Sequence, residues 1–245
     1  MNPSKAPKPP SALAAWCAAA ALLLLAAPPY ARAQSFCSSN GQPRPVRLME
    51  RFISADCASC WTDPATARAG AGVVVLDWIV PSGKNDEAPL SAVASADVLV
   101  RLQALNHATV ATRSTVSRAV KTVKPSRLRV AHGLPLADYL GASIELKPIP
   151  AAAKNKRWTS WLALVETLPA GTEDSPVERN LVRNLLLSEW SGGARPLETE
   201  QNRFFEQRSM TIAPAAVVSR LRVIGWVEDE KGQLVAAAQS RCTAN

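Results

Sequence analysis

A Cys-x-x-Cys pair lies between two stretches with β-strand character, and this arrangement restricts the possible folds more than any other feature of the chain. Residues 46–53 are rich in β-forming side chains and partly alternate between polar and apolar. Residues 73–80 are almost continuously apolar, which is typical of an interior strand that is covered on both faces. Cys57 and Cys60 follow the first stretch, so the order predicts a β-α-β unit.

The cysteine pair is predicted to lie where a helix begins, with Ser54 or Asp56 capping that helix. Free backbone N–H groups and the positive end of a helix dipole favour a thiolate at this position. Cys57 is therefore predicted to be the attacking thiol and Cys60 the buried resolving thiol. In a β-α-β context, these features support a thioredoxin-like redox hypothesis.

Glu50 lies seven residues before Cys57 on the predicted strand and is the candidate proton acceptor beneath the pair. An alternative stays open. One sequence does not fix which strand face is buried, so Glu50 could instead be a solvent-facing carboxylate paired with Arg47 or Arg51.

Two further cysteines, Cys37 and Cys242, lie near the two ends of the chain that would remain after removal of an N-terminal leader. The simplest pairing joins Cys57 to Cys60 and Cys37 to Cys242, and the long-range bridge is predicted to be a structural disulfide. A mobile resolving role for Cys37 is the alternative. The histidines, His107 and His132, are not at ligand spacing, so no metal site and no cofactor is predicted.

The N-terminus has the organisation of a signal peptide. Lysines precede a charge-free apolar run of about 15 residues, which is shorter than the roughly 20 that span a bilayer. Ala31-Arg32-Ala33 has the small-x-small form of a cleavage site. Residues 1–33 are therefore predicted to be removed after Ala33, leaving a periplasmic or secreted protein with no stable membrane anchor.

The formal net charge of +8 falls to about +5 when Lys5, Lys8 and Arg32 leave with the signal peptide. The remaining arginines are scattered and lack the interleaved aromatic residues of a nucleic-acid groove, so no nucleic-acid partner is predicted.

Beyond the cysteine region, a helix is predicted within residues 90–105, and a strand followed by a basic helix within residues 109–130. After residue 140, short strands recur and end in a hairpin around residues 228–232. This change predicts a domain at 34–139 and a β-sandwich-like domain at 140–245.

The segment E-R-F-I-S-A-D-C-A-S-C at residues 50–60 resembles the E-L-F-T-S-Q-G-C-S-S-C motif of the DUF1223 group of exported bacterial proteins. Weaker similarity continues at residues 75–78, 179–183 and 233–238. The resemblance implies a thioredoxin-like α/β domain followed by a β-rich domain, and a glutamate at the position of Glu50.

Two departures from that group bear on activity. Trp61 and Thr62 replace its Pro-Pro after the second cysteine, and residues 106–111 lack the proline that it carries opposite the cysteines. The resemblance implies that this proline helps a substrate to dock beside the disulfide. Its absence therefore weighs against the enzyme hypothesis.

The sequence predicts thiol-disulfide exchange with the thiols or disulfides of other exported proteins. The alternative is a non-catalytic binding or assembly module in which the Cys-x-x-Cys disulfide is permanent. Copper handling has only the softness of the sulfur ligands in its favour. The oligomeric state is left open.

Overall fold

The computed structural model describes residues 36–191 and 202–242, and β-strands dominate them. The twelve strands in these residues are β1 (Cys37–Ser38), β2 (Arg47–Ser54), β3 (Val73–Val80), β4 (Arg113–Ala119), β5 (Arg127–Leu136), β6 (Tyr139–Lys147), β7 (Arg157–Leu168), β8 (Arg179–Ser191), β9 (Phe204–Thr211), β10 (Leu221–Glu228), β11 (Leu234–Gln239) and β12 (Arg241–Cys242). The α-helices described are α1 (Ala58–Trp61) and α2 (Asp97–Ala104). Short 3-10 turns occur at Asn85–Glu87, Ser91–Val93, Ala151–Ala153 and Val218–Arg220.

The strands form a five-stranded sheet in the order β12-β1-β5-β6-β9 and a seven-stranded sheet in the order β11-β10-β7-β8-β3-β2-β4. β3 pairs in parallel with both β2 and β8, and the other pairings in the seven-stranded sheet are antiparallel. The interior position predicted for residues 73–80 is confirmed, although the second neighbour of that strand comes from the C-terminal half of the chain.

The predicted fold class, a thioredoxin-like α/β domain with a separate β-sandwich-like domain, is wrong, because the described chain is a β-rich fold built on these two sheets. An α/β fold needs helices over both faces of its sheet. Here one helix has four residues and the other eight. The boundary that was predicted between residues 139 and 140 falls at the start of β6, and strands from both sides of it share the seven-stranded sheet.

The five-stranded sheet covers one face of the seven-stranded sheet at the β7, β8, β10 and β11 end. The shared core includes Val130, Ile144, Leu162 and Val223. The sheets approach closely at Gly225, where an added Cβ would lie 2.5 Å from Val130 Cγ1 and 2.9 Å from Ile144 Cδ1. A side chain is therefore excluded at Gly225 by contact with the facing sheet.

At the β2 and β3 end, different elements pack against the two faces of the seven-stranded sheet. Alternating residues such as Leu48, Phe52 and Trp78 face Val98 and Leu102 of α2. The intervening residues, among them Ile53 and Ile79, pack with Cys60 and Trp61. The cysteine turn and α2 therefore lie on opposite faces of the sheet.

Several local predictions are confirmed, and one is wrong. Residues 46–53 form β2 with a shift of one residue, the helix predicted within 90–105 is present as α2, and β10 and β11 form the predicted hairpin. No helix follows β4 in residues 120–126. In Arg113–Ala119, exposed and partly buried residues alternate with the period of two that is typical of a strand, and this segment is the edge strand β4.

Cys37 and Cys242 form a disulfide between the paired strands β1 and β12, as predicted. Together with the second disulfide, between Cys57 and Cys60, this bridge indicates an oxidising environment. The predicted signal peptide at residues 1–33 lies outside the described residues. Neither helix of the described segments is long and apolar enough to cross a bilayer.

Candidate functional site

Cys57 and Cys60 form a disulfide in the turn that leaves the C-terminal end of β2. Ser54 N donates to Thr112 O and Ala55 N donates to Val80 O, each at 2.8 Å, which anchors the end of the strand to both neighbouring segments. Cys57 is itself the N-cap residue of α1 and makes no side-chain cap hydrogen bond. The predicted cap by Ser54 or Asp56 is therefore wrong. With a single helical turn, the dipole has little charge to offer the sulfur.

The two cysteines differ in their exposure to solvent. Cys57 is partly exposed, and its Sγ lies 3.6 Å from the Ser59 hydroxyl. Cys60 is buried against apolar residues that include Ile53 and Leu181. An incoming thiol therefore meets Cys57 more readily than Cys60, which is the arrangement expected of an attacking and a resolving thiol.

A buried charge cluster lies on the same face of the sheet as the cysteine turn. Asp77 on β3 accepts hydrogen bonds from Arg51 Nη2 at 2.7 Å, Arg179 Nη1 at 3.0 Å and Asn180 N at 2.9 Å. Arg51 also donates to the carbonyls of Ala67 and Glu178. One carboxylate thus serves two buried guanidiniums, and Arg51 ties two loop residues to the sheet.

Arg179 connects this cluster to the cysteine turn through Trp61. Its Nη2 donates to Trp61 O at 2.7 Å, and its guanidinium carbon lies 4.7 Å from the centre of the indole ring. Trp61 Nε1 in turn donates to Glu173 O at 2.7 Å. Burial lowers the pKa of Arg179, and the charge of Arg51 lowers it further, against the opposing effect of Asp77.

Glu50 lies on the other face of β2, within a second buried network. It accepts Arg101 Nε at 2.7 Å and Arg101 Nη2 at 2.8 Å, and Arg118 Nη2 lies 3.4 Å away. The structure does not bring Glu50 beneath the cysteines, because the side chains of residues 50 and 53 point to opposite faces of the strand. The alternative prediction, a solvent-facing Glu50 paired with Arg47 or Arg51, is also wrong, since Glu50 is fully buried.

The second network is completed by Glu228, which accepts Arg101 Nη2 at 2.9 Å and Arg118 Nη2 at 2.6 Å. The guanidinium of Arg101 also lies over the stacked rings of Trp161 and Trp226. Burial favours a raised pKa at Glu228, but the two arginines outweigh it and hold the pKa of Glu228 below its ordinary value. Burial likewise opposes the charge of Arg101, yet its two carboxylate partners raise its pKa. Two acids and two arginines thus form a neutral set.

Two clefts flank the disulfide. A cleft of about 170 Å³ opens on the Cys60 side and is lined by Arg51, Arg113 and Arg179 together with residues 65–67. A cleft of about 350 Å³ opens beside α1 and is mainly apolar, with Trp61, Leu90, Val93 and Leu181 in its lining and Glu173 and Asp174 at its rim. The disulfide is therefore bordered by a cationic cleft and by an apolar cleft.

One group of candidate metal ligands occurs in the described residues. Ligand atoms of Cys37, His132 and Cys242 lie within 4.8 Å of one another. The two sulfurs are bonded to each other, and His132 Nδ1 lies 2.8 Å from Gly133 O. In the oxidised protein this group is a disulfide beside a buried imidazole, whose pKa is lowered chiefly by burial.

Sequence reasoning did not find the residues that surround the cysteine turn. Asp77 was the available signal, because it is the one charged residue in an otherwise apolar strand that is buried on both faces. A carboxylate in that position requires cationic partners, and Arg51 is the neighbour with which it is paired in register. Arg179 is more than one hundred residues away in sequence, so no local pattern could identify it as the second partner.

No protein-family model matches the chain, and no curated protein matches it. Among solved structures, HBP35 of Porphyromonas gingivalis is similar over 82% of this chain and 76% of that chain, with 10% sequence identity and a TM-score of 0.46. This similarity carries no argument about activity.

Proposed function

We propose that this protein exchanges thiols and disulfides with other exported proteins through Cys57 and Cys60. The unequal exposure of the two cysteines supports this proposal most strongly, because exchange needs an accessible attacking thiol and a second thiol that resolves the mixed disulfide. The clefts lined by Cys60 on one side and by Ala58 and Trp61 on the other offer space for a substrate near the cysteine turn. Membership of the DUF1223 group belongs to the same proposal and rests on the motif at residues 50–60.

The location is part of the proposal. We infer a bacterial periplasm or the exterior of the cell, reached after cleavage of a signal peptide at Ala33. The disulfides support an oxidising compartment, and the N-terminal apolar run supports export.

The second candidate function is a binding or assembly module in which the Cys57–Cys60 disulfide is permanent. The buried hydrogen bonds around the turn favour this alternative, because Arg179 and Trp61 hold it firmly to the sheet. A rigid turn resists the rearrangement that accompanies a cycling dithiol. The two functions therefore predict different reduction potentials for the same pair.

The deciding experiment is a redox titration of the mature protein in dithiol buffers, with mass spectrometry after alkylation to follow each cysteine pair. A potential for the Cys57–Cys60 pair that is less negative than about −300 mV, with alkylation of Cys57 first, supports exchange. A more negative value, with no thiol that reacts in the folded protein, supports the permanent disulfide. The Cys37–Cys242 pair is the internal reference, and we expect it to remain oxidised throughout.

A trapping experiment identifies the partners. A Cys60→Ala protein exposed to a periplasmic extract should retain mixed disulfides at Cys57, because the resolving thiol is missing. A Cys57→Ala, Cys60→Ala double variant is the matched control. If both variants recover the same proteins, the captured species do not report exchange at this site.

A further inference from the structure

The cleft on the Cys60 side carries an excess of positive charge. Arg51, Arg113 and Arg179 line it. Within the described residues, the carboxylates paired with these arginines are Asp77, which serves Arg51 and Arg179, and Asp63, which serves Arg113. Three guanidiniums against two carboxylates leave one uncompensated positive charge around a small concave space.

Arg51, which lines the cleft, has a buried hydrogen-bond donor without a partner. Its side chain is 4% exposed, and its Nη atoms are occupied by Asp77 and by two backbone carbonyls. Its Nε is buried and has no hydrogen-bond partner among the residues that the structure describes. A buried N–H without an acceptor is unfavourable, so the Arg51 guanidinium beside the cleft is incompletely satisfied.

Arg113 lies at the mouth of the cleft and is accessible. Its side chain is 51% exposed and pairs with Asp63. Thr66 and Thr115 also line the cleft, and Thr115 is the β4 residue paired with Arg51 in register. An entering anion therefore meets one exposed cation, Arg113, and two buried cations, Arg51 and Arg179, and all three favour a negative group.

The size and charge of the cleft select its ligand. A volume of about 170 Å³ corresponds to roughly five or six water molecules at about 30 Å³ each, which admits a small group and excludes a folded segment. One uncompensated charge matches a singly charged group. A carboxylate carries one charge, whereas phosphate groups approach two at neutral pH.

We propose that this cleft binds a carboxylate next to Cys60. The ligand is a small organic acid or the carboxylate of a larger molecule whose remainder stays outside the cleft. The site goes beyond the proposed exchange activity, since binding needs only the oxidised, folded protein.

The test is ligand-detected NMR with acetate on the mature, oxidised protein at constant ionic strength. We expect saturable acetate binding that excess chloride does not displace and that inorganic phosphate displaces only at higher concentration than a second carboxylate, formate. Absence of saturable binding overturns the proposal. Displacement by phosphate at lower concentration than by formate overturns the carboxylate assignment and makes free phosphate the ligand.

Three variants separate a built site from general attraction to a basic protein. Arg113→Gln should weaken acetate binding about tenfold or more, because a charge-assisted hydrogen bond is lost. Arg47→Gln, which removes an exposed arginine of β2 outside the cleft, is the matched control and should leave binding unchanged. Ala65→Phe should abolish binding by filling the cleft with all three arginines retained.

Equal weakening by Arg113→Gln and Arg47→Gln would overturn the proposal in favour of nonspecific electrostatics. Full binding by Ala65→Phe would show that acetate occupies another place. Circular dichroism and the intact Cys57–Cys60 disulfide verify the fold of each variant. Because no thiol reacts in the assay, a failure here leaves the exchange proposal standing, and a failure of exchange leaves this result standing.

Discussion

Replacement of Glu50 by glutamine separates two roles for this residue, a proton acceptor for the cysteines and a member of a buried ion network. The structure favours the network, where Glu50 receives a two-pronged hydrogen bond from Arg101. We expect Glu50→Gln to destabilise the protein and to leave the thiol chemistry of Cys57 unchanged.

The expected loss is about 3 to 5 kcal/mol, the range found when one partner of a buried ion pair is removed. Arg101 is fully buried over two indole rings, so it cannot recover its hydration when Glu50 becomes neutral. The neutral set of two acids and two arginines then carries an excess positive charge inside the core.

The assay is urea denaturation of the oxidised protein, followed by tryptophan fluorescence. Glu189→Gln is the matched control, since Glu189 pairs with Arg157 at the surface at 3.7 Å, and its loss should cost at most about 1 kcal/mol. In parallel, the alkylation rate of Cys57 in the reduced protein is measured against pH. A stability change below about 1 kcal/mol at Glu50, together with a shifted alkylation profile, would refute the reasoning.

Three further predictions concern the framework. Gly225→Ala should destabilise the protein by about 1 to 3 kcal/mol through overpacking, whereas Gly141→Ala, with no atom within 4 Å of the added Cβ, should be nearly neutral; equal melting temperatures would contradict this. The pKa of Glu228 in the folded protein lies below its ordinary value of 4.5. Its contribution to stability is therefore present above about pH 4.5 and is lost as the pH falls through the folded-state pKa. Glu228→Gln should flatten that part of a plot of urea midpoint against pH. Joint replacement of Cys37 and Cys242 by alanine should cost up to about 5 kcal/mol by the loop-entropy argument for a separation of 205 residues, and an unchanged urea midpoint would show that the bridge constrains nothing in the unfolded chain.

Local strand patterns could be predicted from the sequence, whereas sheet membership could not. The apolar run that forms β3 has the composition of an interior strand, and the turn residues at 228–232 identify the hairpin of β10 and β11. The neighbour of β3 on its second side is β8, which lies about one hundred residues later, and no local rule selects it. The composition of a strand indicates whether its faces are buried, but it does not identify the strand that pairs with it.

The cysteines of the site could be predicted from the sequence, but the residues that surround them could not. Cys57 and Cys60 are marked by their spacing, and Cys37 and Cys242 by their even number and terminal positions. Glu50 was assigned by proximity along the chain, which does not fix the face of a strand, since a shift of one residue exchanges the two faces. The buried carboxylate on the same face of the sheet as the cysteines is instead Asp77, on the neighbouring strand β3, where it pairs with Arg51.

The pairing of β1 with β12 bears on the order of events during biogenesis. If the chain is exported as proposed, Cys37 emerges from the membrane before the other cysteines of residues 34–245, and its partner Cys242 emerges last. Oxidation in order of emergence would join Cys37 to Cys57 and leave Cys60 without its native partner. The Cys37–Cys242 bond therefore requires an oxidant that acts after Cys242 has emerged, or the reshuffling of an earlier bond.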